Sequence, residues 1–378
     1  MDFDKVIERR GTGSTKWERY PADVLPLWVA DMDFAAPLAV TDALRARVEH
    51  GVYGYARVPE SLLEAIQGHL FTRYGWRIEP EWVLALPGAV PGLNVACRAI
   101  GAPGDAVMMV GPIYPPFLSA VTFQGRKLIA VPSEVSDGRW QLPLEAMEAA
   151  VTPQTRLLLF CHPHNPFGRV WSGEEIAAVA DFCHRHRLVL CSDELHCDLI
   201  LDALPHVPAA TVSEQAAALT VTLMSPSKAF NIAGLQFAYA VIPDPELRAK
   251  YMRGGLGFVE FDYAGWFAIA GAEAAYRGGA AWLAELIEYL RGNRDLLESF
   301  VAERLPRVHM THVEATYLAW LDARDLGLDD PIRTCLEAGV ALSDGVAFGA
   351  PKGFLRLNFG CPRSTLREAL RRLEGVLA

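Results

Sequence analysis

The sequence predicts an α/β protein: a mainly parallel sheet covered by helices on both faces, joined to a smaller α+β domain. Three observations carry this reading. Between residues 82 and 242, short apolar runs bounded by Gly, Pro, Ser or Asn recur, each of a length suited to a buried strand. Helical patterns fall between them, the alternation of a sheet whose parallel strands need crossover connections. After Gly278-Gly279 the alternation stops, and one long helix leads into a few strand-like runs and a final helix.

In chain order, residues 1 to 35 read as an irregular arm punctuated by Gly11, Gly13, Pro21 and Pro26, with Asp31 and Asp33 set in the apolar run Trp28 to Phe34. An amphipathic helix with Val40, Leu44 and Val48 four apart follows, then the glycine-rich turn Gly51-Val52-Tyr53-Gly54-Tyr55. A second helix carries Leu62, Leu63, Ile66 and Leu70 and stops at Gly75. Strands are expected at 82–86, 106–110, 127–131, 156–161, 188–191, 219–224 and 237–242. Pro87 to Gly92 reads as a turn before a helix over 93–100, and Gly111 to Pro116 as rigid loop. Ser172 with Glu175 three residues on makes a capping box for a helix reaching about His186. A long helix is expected from Ala280 toward Leu305, strands at 308–313, 317–321 and 354–358, and a helix over 364–377. The expected division is 1–45 for the arm and part of the small domain, 46–283 for the large domain, and 284–378 for the small one.

Bulk properties exclude several functions. A net charge of −10 argues against a nucleic-acid partner, since phosphate backbones are bound through basic patches. Met1 leads directly into Asp2, Asp4 and Lys5, which is no signal peptide, and no apolar run approaches the ~18 residues of a membrane span. Seven cysteines, an odd number scattered through apolar segments, suit reduced core residues, so a cytoplasmic protein is expected. Cys161-His162-Pro163-His164 and Cys183-His184-Arg185-His186 cluster ligand-type residues, but their spacing matches no metal pattern, and no metal is expected.

The chemistry concentrates at strand ends. Lys228 follows the apolar run 219–224 and Ser225-Pro226-Ser227, with little other charge nearby. A desolvated lysine loses its proton more readily and becomes a nucleophilic amine. With two serine hydroxyls beside it to meet a phosphate, it suits a Schiff base to pyridoxal 5′-phosphate (PLP). A lysine snorkelling at a turn is the competing reading. Asn165 and Asp193 end two other buried strands, and a buried acid needs a cationic or donor partner. Gly88-Ala89-Val90 opens a helix whose free N–H groups suit an anion. Arg356 stands in the apolar run F-L-R-L-N-F.

Together these residues resemble the fold-type I PLP enzymes of the aspartate aminotransferase superfamily. Asn165-Pro166-Phe167-Gly168, Ser192-Asp193-Glu194 and Ser225-Pro226-Ser227-Lys228 carry the superfamily signal. Arg9 to Trp17, Trp28 to Phe34 and Phe230 to Gln236 are similar to the cystathionine β-lyase (cysteine C–S lyase) branch represented by the bacterial MalY and PatB proteins. The resemblance runs almost end to end and implies a seven-stranded, mainly parallel sheet. It implies that Lys228 carries PLP and takes the substrate α-proton, that Asp193 pairs with the pyridine nitrogen, and that Asn165 bonds the phenolic oxygen. Tyr114 would stack on the ring, and Ala89, Val90, Ser225 and Ser227 would cradle the phosphate. Tyr55 would reach the phosphate of the neighbouring subunit of a homodimer with shared active sites. Arg356 would grip the substrate carboxylate, with Ala30 and Trp28 beside it. Two positions depart from the wider superfamily: His196 stands where many members have tyrosine, and Gln236 where many have arginine. Both substitutions agree with the lyase branch, although they leave His196 without an assigned role among the cofactor contacts.

The resemblance implies a PLP-dependent C–S β-lyase acting on L-cystathionine or a related cysteine S-conjugate. An aminotransferase for a neutral or aromatic amino acid shares its first steps, and a PLP-containing regulatory binding protein is a third reading. The pocket is expected to take its shape from Trp28 to Phe34 and the Gly254 to Gly257 turn.

Overall fold

The computed structural model describes all 378 residues. A seven-stranded sheet forms its centre, in the spatial order Val83–Leu86, Ala238–Val241, Thr220–Met224, Val189–Asp193, Thr155–Cys161, Ala106–Gly111 and Lys127–Pro132. Every neighbouring pair is parallel except the two made by Ala238–Val241, which runs against both of its neighbours. Apart from the exposed Arg156, the central strands Thr155–Cys161 and Thr220–Met224 are buried, and Leu157 to Cys161 is accordingly a continuous apolar run rather than an alternating one. Separate apolar cores fill the two faces, one with Leu93, Phe117 and Tyr251, the other with Phe160, Trp171 and Ile176.

The second sheet is antiparallel, in the order His309–Met310, Leu318–Asp322, Phe354–Asn358 and Ser343–Asp344. The helices Ala280–Arg304 and Arg363–Leu377 pack with it in one core, which also takes in Phe3, Leu27 and Phe34 of the N-terminal arm. The arm joins the C-terminal part through a short parallel pairing of Leu25–Pro26 with Val340–Ala341. No helix is long and apolar enough to cross a membrane. No group of three His, Cys, Asp or Glu side chains converges as a metal-ligand set.

The expected strands are all present, all but that at 308–313 with ends moved by no more than two residues, and the Ser172/Glu175 capping box forms at the start of the helix Gly173–His186. Three expectations are corrected. The helix after Gly88 begins at Ala89, not at 93, because Pro91 falls in its first turn, where no backbone donor is needed. For the same reason Pro115 and Pro116 open the helix Pro115–Phe123 rather than extend a loop. The strand expected over 308–313 is only His309–Met310, since the chain then turns to put the Glu314 and Ala315 N–H groups on the Gly168 carbonyl. Gly254 and Gly255 end the helix Pro245–Gly255, and a Cβ at Gly254 would lie 2.6 Å from that of Ala99. Ala99 ends the helix that starts at Ala89, about 15 Å away at 1.5 Å per residue. Gly254 therefore packs against the far end of that helix within its own chain.

Candidate active site

Parallel strands bring their carboxyl ends to one edge of a sheet, and that edge collects the polar residues here. Asp193 is paired with Cys161 on one side and Leu223 on the other, so it closes the Val189–Asp193 strand level with its neighbours. Asn165 lies four residues past Cys161, in a turn whose amide nitrogen meets the Cys161 sulfur at 3.4 Å. Lys228 lies four residues past Met224. The turn between them is tied by the Ser225 hydroxyl, which accepts the Ser227 N–H at 3.0 Å and donates to the Phe237 carbonyl at 2.6 Å. With its one hydrogen committed there, Ser225 holds the turn, and Ser227 keeps the more accessible hydroxyl.

Asp193 is buried and takes part in no ion pair; its Oδ1 accepts the Leu195 N–H at 3.2 Å. Burial pushes its carboxyl up to about 7, against the opposing pull of that N–H and of Lys228. Lys228 is shifted the other way. Burial and the Arg356 charge bring its amine down to about 8, although Asp31 and Asp193 favour the ammonium. Its Nζ donates to the Ala30 carbonyl at 2.8 Å. His196 is buried and drops to about 3 through burial and the nearby Lys228 and Arg356, so its imidazole is neutral, with Nδ1 unpartnered.

Arg356 comes from the second sheet. It sits opposite Trp320 and Ser343 in the ladders, and its guanidinium lies 4.8 Å over the Phe348 ring. Nη1 donates to Asn165 Oδ1 at 3.0 Å and Nη2 to the Trp28 carbonyl at 2.9 Å, while Nε has no partner. Burial lowers Arg356 to about 10, opposed by Tyr114 and Tyr317. Tyr114 precedes the helix Pro115–Phe123 and stands close enough to Arg356 and Asp193 to feel both charges. Ala89, buried, and Val90 form the first turn of the helix Ala89–Ala99, where N–H groups lack intrahelical acceptors. Tyr55 is not part of this cluster; it is 99% exposed on the Gly51 to Tyr55 segment.

Opposite the strand ends runs the strap Trp28 to Phe34, which has no regular secondary structure. Side chains from elsewhere hold its carbonyls instead. Trp28 O accepts from Arg356 and, at 2.6 Å, from Ser343; Val29 O and Asp31 O both accept from Asn358, at 2.6 and 2.7 Å. Ala30 O accepts from Lys228 and from the Tyr317 hydroxyl at 3.0 Å. Met32 O and Phe34 O accept from Asn231 at 2.9 and 2.7 Å. Asp33 is buried beneath, bonded to Lys16 at 2.8 Å, Arg9 at 2.6 Å and the Trp17 indole at 2.7 Å. The Arg9 to Trp17 and Phe230 to Gln236 motifs are thus clamps on the strap. Sequence reasoning missed Tyr317, Ser343 and Asn358. Only Asn358 carried a signal, as a second polar residue on the face of F-L-R-L-N-F that holds Arg356.

A lysine one turn beyond a parallel strand, an acid and an amide at neighbouring ends, and an arginine reaching in from a second sheet together define a fold-type I PLP enzyme of the aspartate aminotransferase superfamily. The family model for aminotransferase class I and II matches residues 22–373. The chain is 40% identical to the cystathionine beta-lyase PatB of Bacillus subtilis, with all of both chains covered. The crystal structure of OvoB superposes with a TM-score of 0.96 at 44% identity, covering 100% of this chain and 99% of the other. Cystalysin from Treponema denticola, whose crystal structure contains pyridoxal 5′-phosphate, superposes with a TM-score of 0.95 at 30% identity, over 100% and 98%. The chain belongs to the class I and II aminotransferase family and, within it, to the C–S lyase branch that includes PatB. It is an enzyme of the lyase type.

Proposed function

We propose that this enzyme binds pyridoxal 5′-phosphate and catalyses α,β-elimination of a cysteine S-conjugate such as L-cystathionine, giving a thiol, pyruvate and ammonia. One observation carries the cofactor assignment: a buried carboxylate with no cation of its own, at the sheet edge that also bears a lysine of lowered basicity. A protonated pyridine nitrogen is the donor that Asp193 lacks. The Lys228 amine suits an aldehyde, and the open N–H groups at Ala89 and Val90 with the Ser227 hydroxyl suit a phosphate. The residues fit the group.

Bound there, the cofactor supplies a cationic ring that accepts the electron pair left when the substrate Cα–H bond breaks. The protein's own groups do the rest. Asp193 keeps the ring nitrogen protonated in a site where burial makes that charge pair strong. Asn165 holds the phenolic oxygen with its amide nitrogen, its orientation fixed by the Arg356 bond to Oδ1. Tyr114 covers the ring face. The unpartnered Nε of Arg356 lets the guanidinium present a two-donor fork to the substrate carboxylate beside Trp28 and Ala30. Lys228, near 8, is neutral in a useful fraction at physiological pH and takes the α-proton. His196, held neutral, adds no competing positive charge next to Arg356.

The active assembly we propose is a homodimer in which Tyr55 of each chain completes the phosphate site of the other. Its near-complete exposure beside Tyr53 and Phe267, whose rings lie 5.9 Å apart, supports this reading. Incubating the purified protein with L-cystathionine tests the reaction. Pyruvate release with an unchanged cofactor spectrum is expected; pyridoxamine phosphate without pyruvate would overturn elimination in favour of transamination.

A further inference from the structure

The Ala30 carbonyl has two donors, Lys228 Nζ at 2.8 Å and the Tyr317 hydroxyl at 3.0 Å. Tyr317 is fully buried and meets the His196 ring edge-on at 6.0 Å. Its position is imposed from several directions. Thr316, just before it, has φ of 75°, a region that β-branched residues rarely adopt. The Gly168 carbonyl accepts the Glu314 and Ala315 N–H groups, both at 3.0 Å, and the Leu199 carbonyl accepts that of Thr316 at 2.8 Å. A Cβ at Gly168 would come within 2.9 Å of the Ala315 oxygen, and one at Gly360 within 3.2 Å of the Tyr317 ring. A strained φ persists only where its surroundings over-determine it, and such residues gather at functional sites.

We propose that Tyr317 is a positioning residue for Lys228: its hydroxyl engages one lone pair of the Ala30 carbonyl and directs the other to Nζ, holding the amine ready and neutral. The inference rests on Lys228 as the reacting amine. The physical reason is a competition at one oxygen. A carbonyl that already accepts a hydroxyl proton offers less to a second donor, and an ammonium, whose hydrogen bonds are the stronger, loses more by this than an amine. The other charged groups that act on Lys228 are Arg356, which opposes the ammonium, and Asp31 and Asp193, which favour it; His196 beside them is neutral. Tyr317 therefore works with Arg356.

The test uses the full-length chain freed of cofactor and the holoenzyme. In the cofactor-free protein, the pH dependence of Lys228 acetylation by acetic anhydride, read by mass spectrometry, reports when the amine becomes neutral. Tyr317→Phe is expected to move that midpoint up by about half a unit, the size set by one hydrogen bond. In the holoenzyme it is expected to lower kcat about fivefold on a cysteine S-conjugate, leaving KM within about twofold. Coincident labelling midpoints for wild type and variant would overturn the proposal. Replacing Tyr317 by 3-fluorotyrosine, a stronger donor that keeps the shape, must move the midpoint down; it serves equally if Tyr317→Phe fails to fold. A wild-type protein that takes up no PLP would sink the functional assignment, whereas the labelling result needs no cofactor and stands or falls by itself.

Discussion

Asp193 and Ala30 both act on the Lys228 amine, and they are held in place by opposite means. Asp193 closes a strand bonded on both sides, so its position follows from the ladder that any buried parallel strand would form. Ala30 lies in a segment with no ladder at all, and its carbonyl is fixed by the side chains of two residues 198 and 287 positions away. The strand-end half of the site is built from backbone regularity with functional side chains attached. The strap half reverses this: its backbone is functional and the side chains around it are scaffold. A substitution at a strand end should therefore remove chemistry and leave the fold, while one at a strap clamp should loosen the fold and disturb the chemistry through it.

Lys228→Ala breaks the first half most severely. It removes both the amine and the proton acceptor, so pyruvate release is expected to fall by about 10³-fold or more. The cofactor absorbance due to the lysine linkage should vanish while the far-ultraviolet dichroism stays. Retention of both colour and turnover would show that another amine does the work.

Asp193→Asn sharpens the contrast, because it should lower turnover and raise stability together. The native carboxyl titrates near 7, against 3.8 for an ordinary aspartate, so between those values the folded chain holds a proton that the unfolded chain has released. In the cofactor-free protein this favourable term is complete below about pH 4 and lost above about 7. The asparagine variant is then expected to be more stable than wild type at pH 8, by a few kcal/mol in order of magnitude, and to lose that advantage near pH 4. Lys228 works on the alkaline side with the opposite slope: its native value near 8 lies below 10.5, so the unfolded chain binds more protons and stability rises between them. Urea titrations across pH, with holoenzyme turnover expected to drop about 10²-fold, check both parts.

Asn358→Ala addresses the strap. It strips the donor from Val29 O and the acceptor from the Gly360 N–H, while Asp31 O keeps Lys16. Leaving the buried Gly360 N–H and the half-buried Val29 carbonyl unpaired is expected to cost about 2 kcal/mol. Turnover should fall with it, although Asn358 touches no reacting atom, because the carbonyls on either side of Ala30 lose the donor they share and the Ala30 carbonyl between them is less well fixed against Lys228. An unchanged melting temperature would mean that the strap does not depend on its clamps.

The same division explains what was legible in the sequence. Turn residues and apolar runs located every strand of the large sheet, and polar residues at strand ends pointed to Asn165, Asp193 and Lys228. The strand expected to stop at Cys191 continues through Ser192 and Asp193, because flanking strands offer partners that no local pattern reports. The strap could be read only as a motif shared with relatives: nothing in Trp28 to Phe34 announces that Asn231, Ser343 and Asn358 will bind its carbonyls. Tyr317 was read as the start of an apolar strand, and its hydroxyl gains meaning only once Ala30 lies beside it. Side chains that serve a distant backbone leave no periodicity.

The smallest effect separates the two halves most cleanly when two serines are compared. Ser343→Ala removes one of two donors to Trp28 O, with Arg356 remaining, and Ser172→Ala removes the capping bond to the Glu175 N–H on a helix outside the site. Each is expected to cost about 1 kcal/mol of stability, so thermal melts alone would not distinguish them. Kinetics should. When Ser343 is gone, Arg356 Nη2 is the sole donor left on Trp28 O and also loses the Ser343 hydroxyl that accepts from it at 3.4 Å, so its place depends on the strap alone and the guanidinium is less well set to meet a carboxylate. KM for the S-conjugate is then expected to rise about two- to threefold in Ser343→Ala and to stay put in Ser172→Ala. Equal KM values at equal stability loss would mean that the strap merely packs against Arg356 and does not tune it.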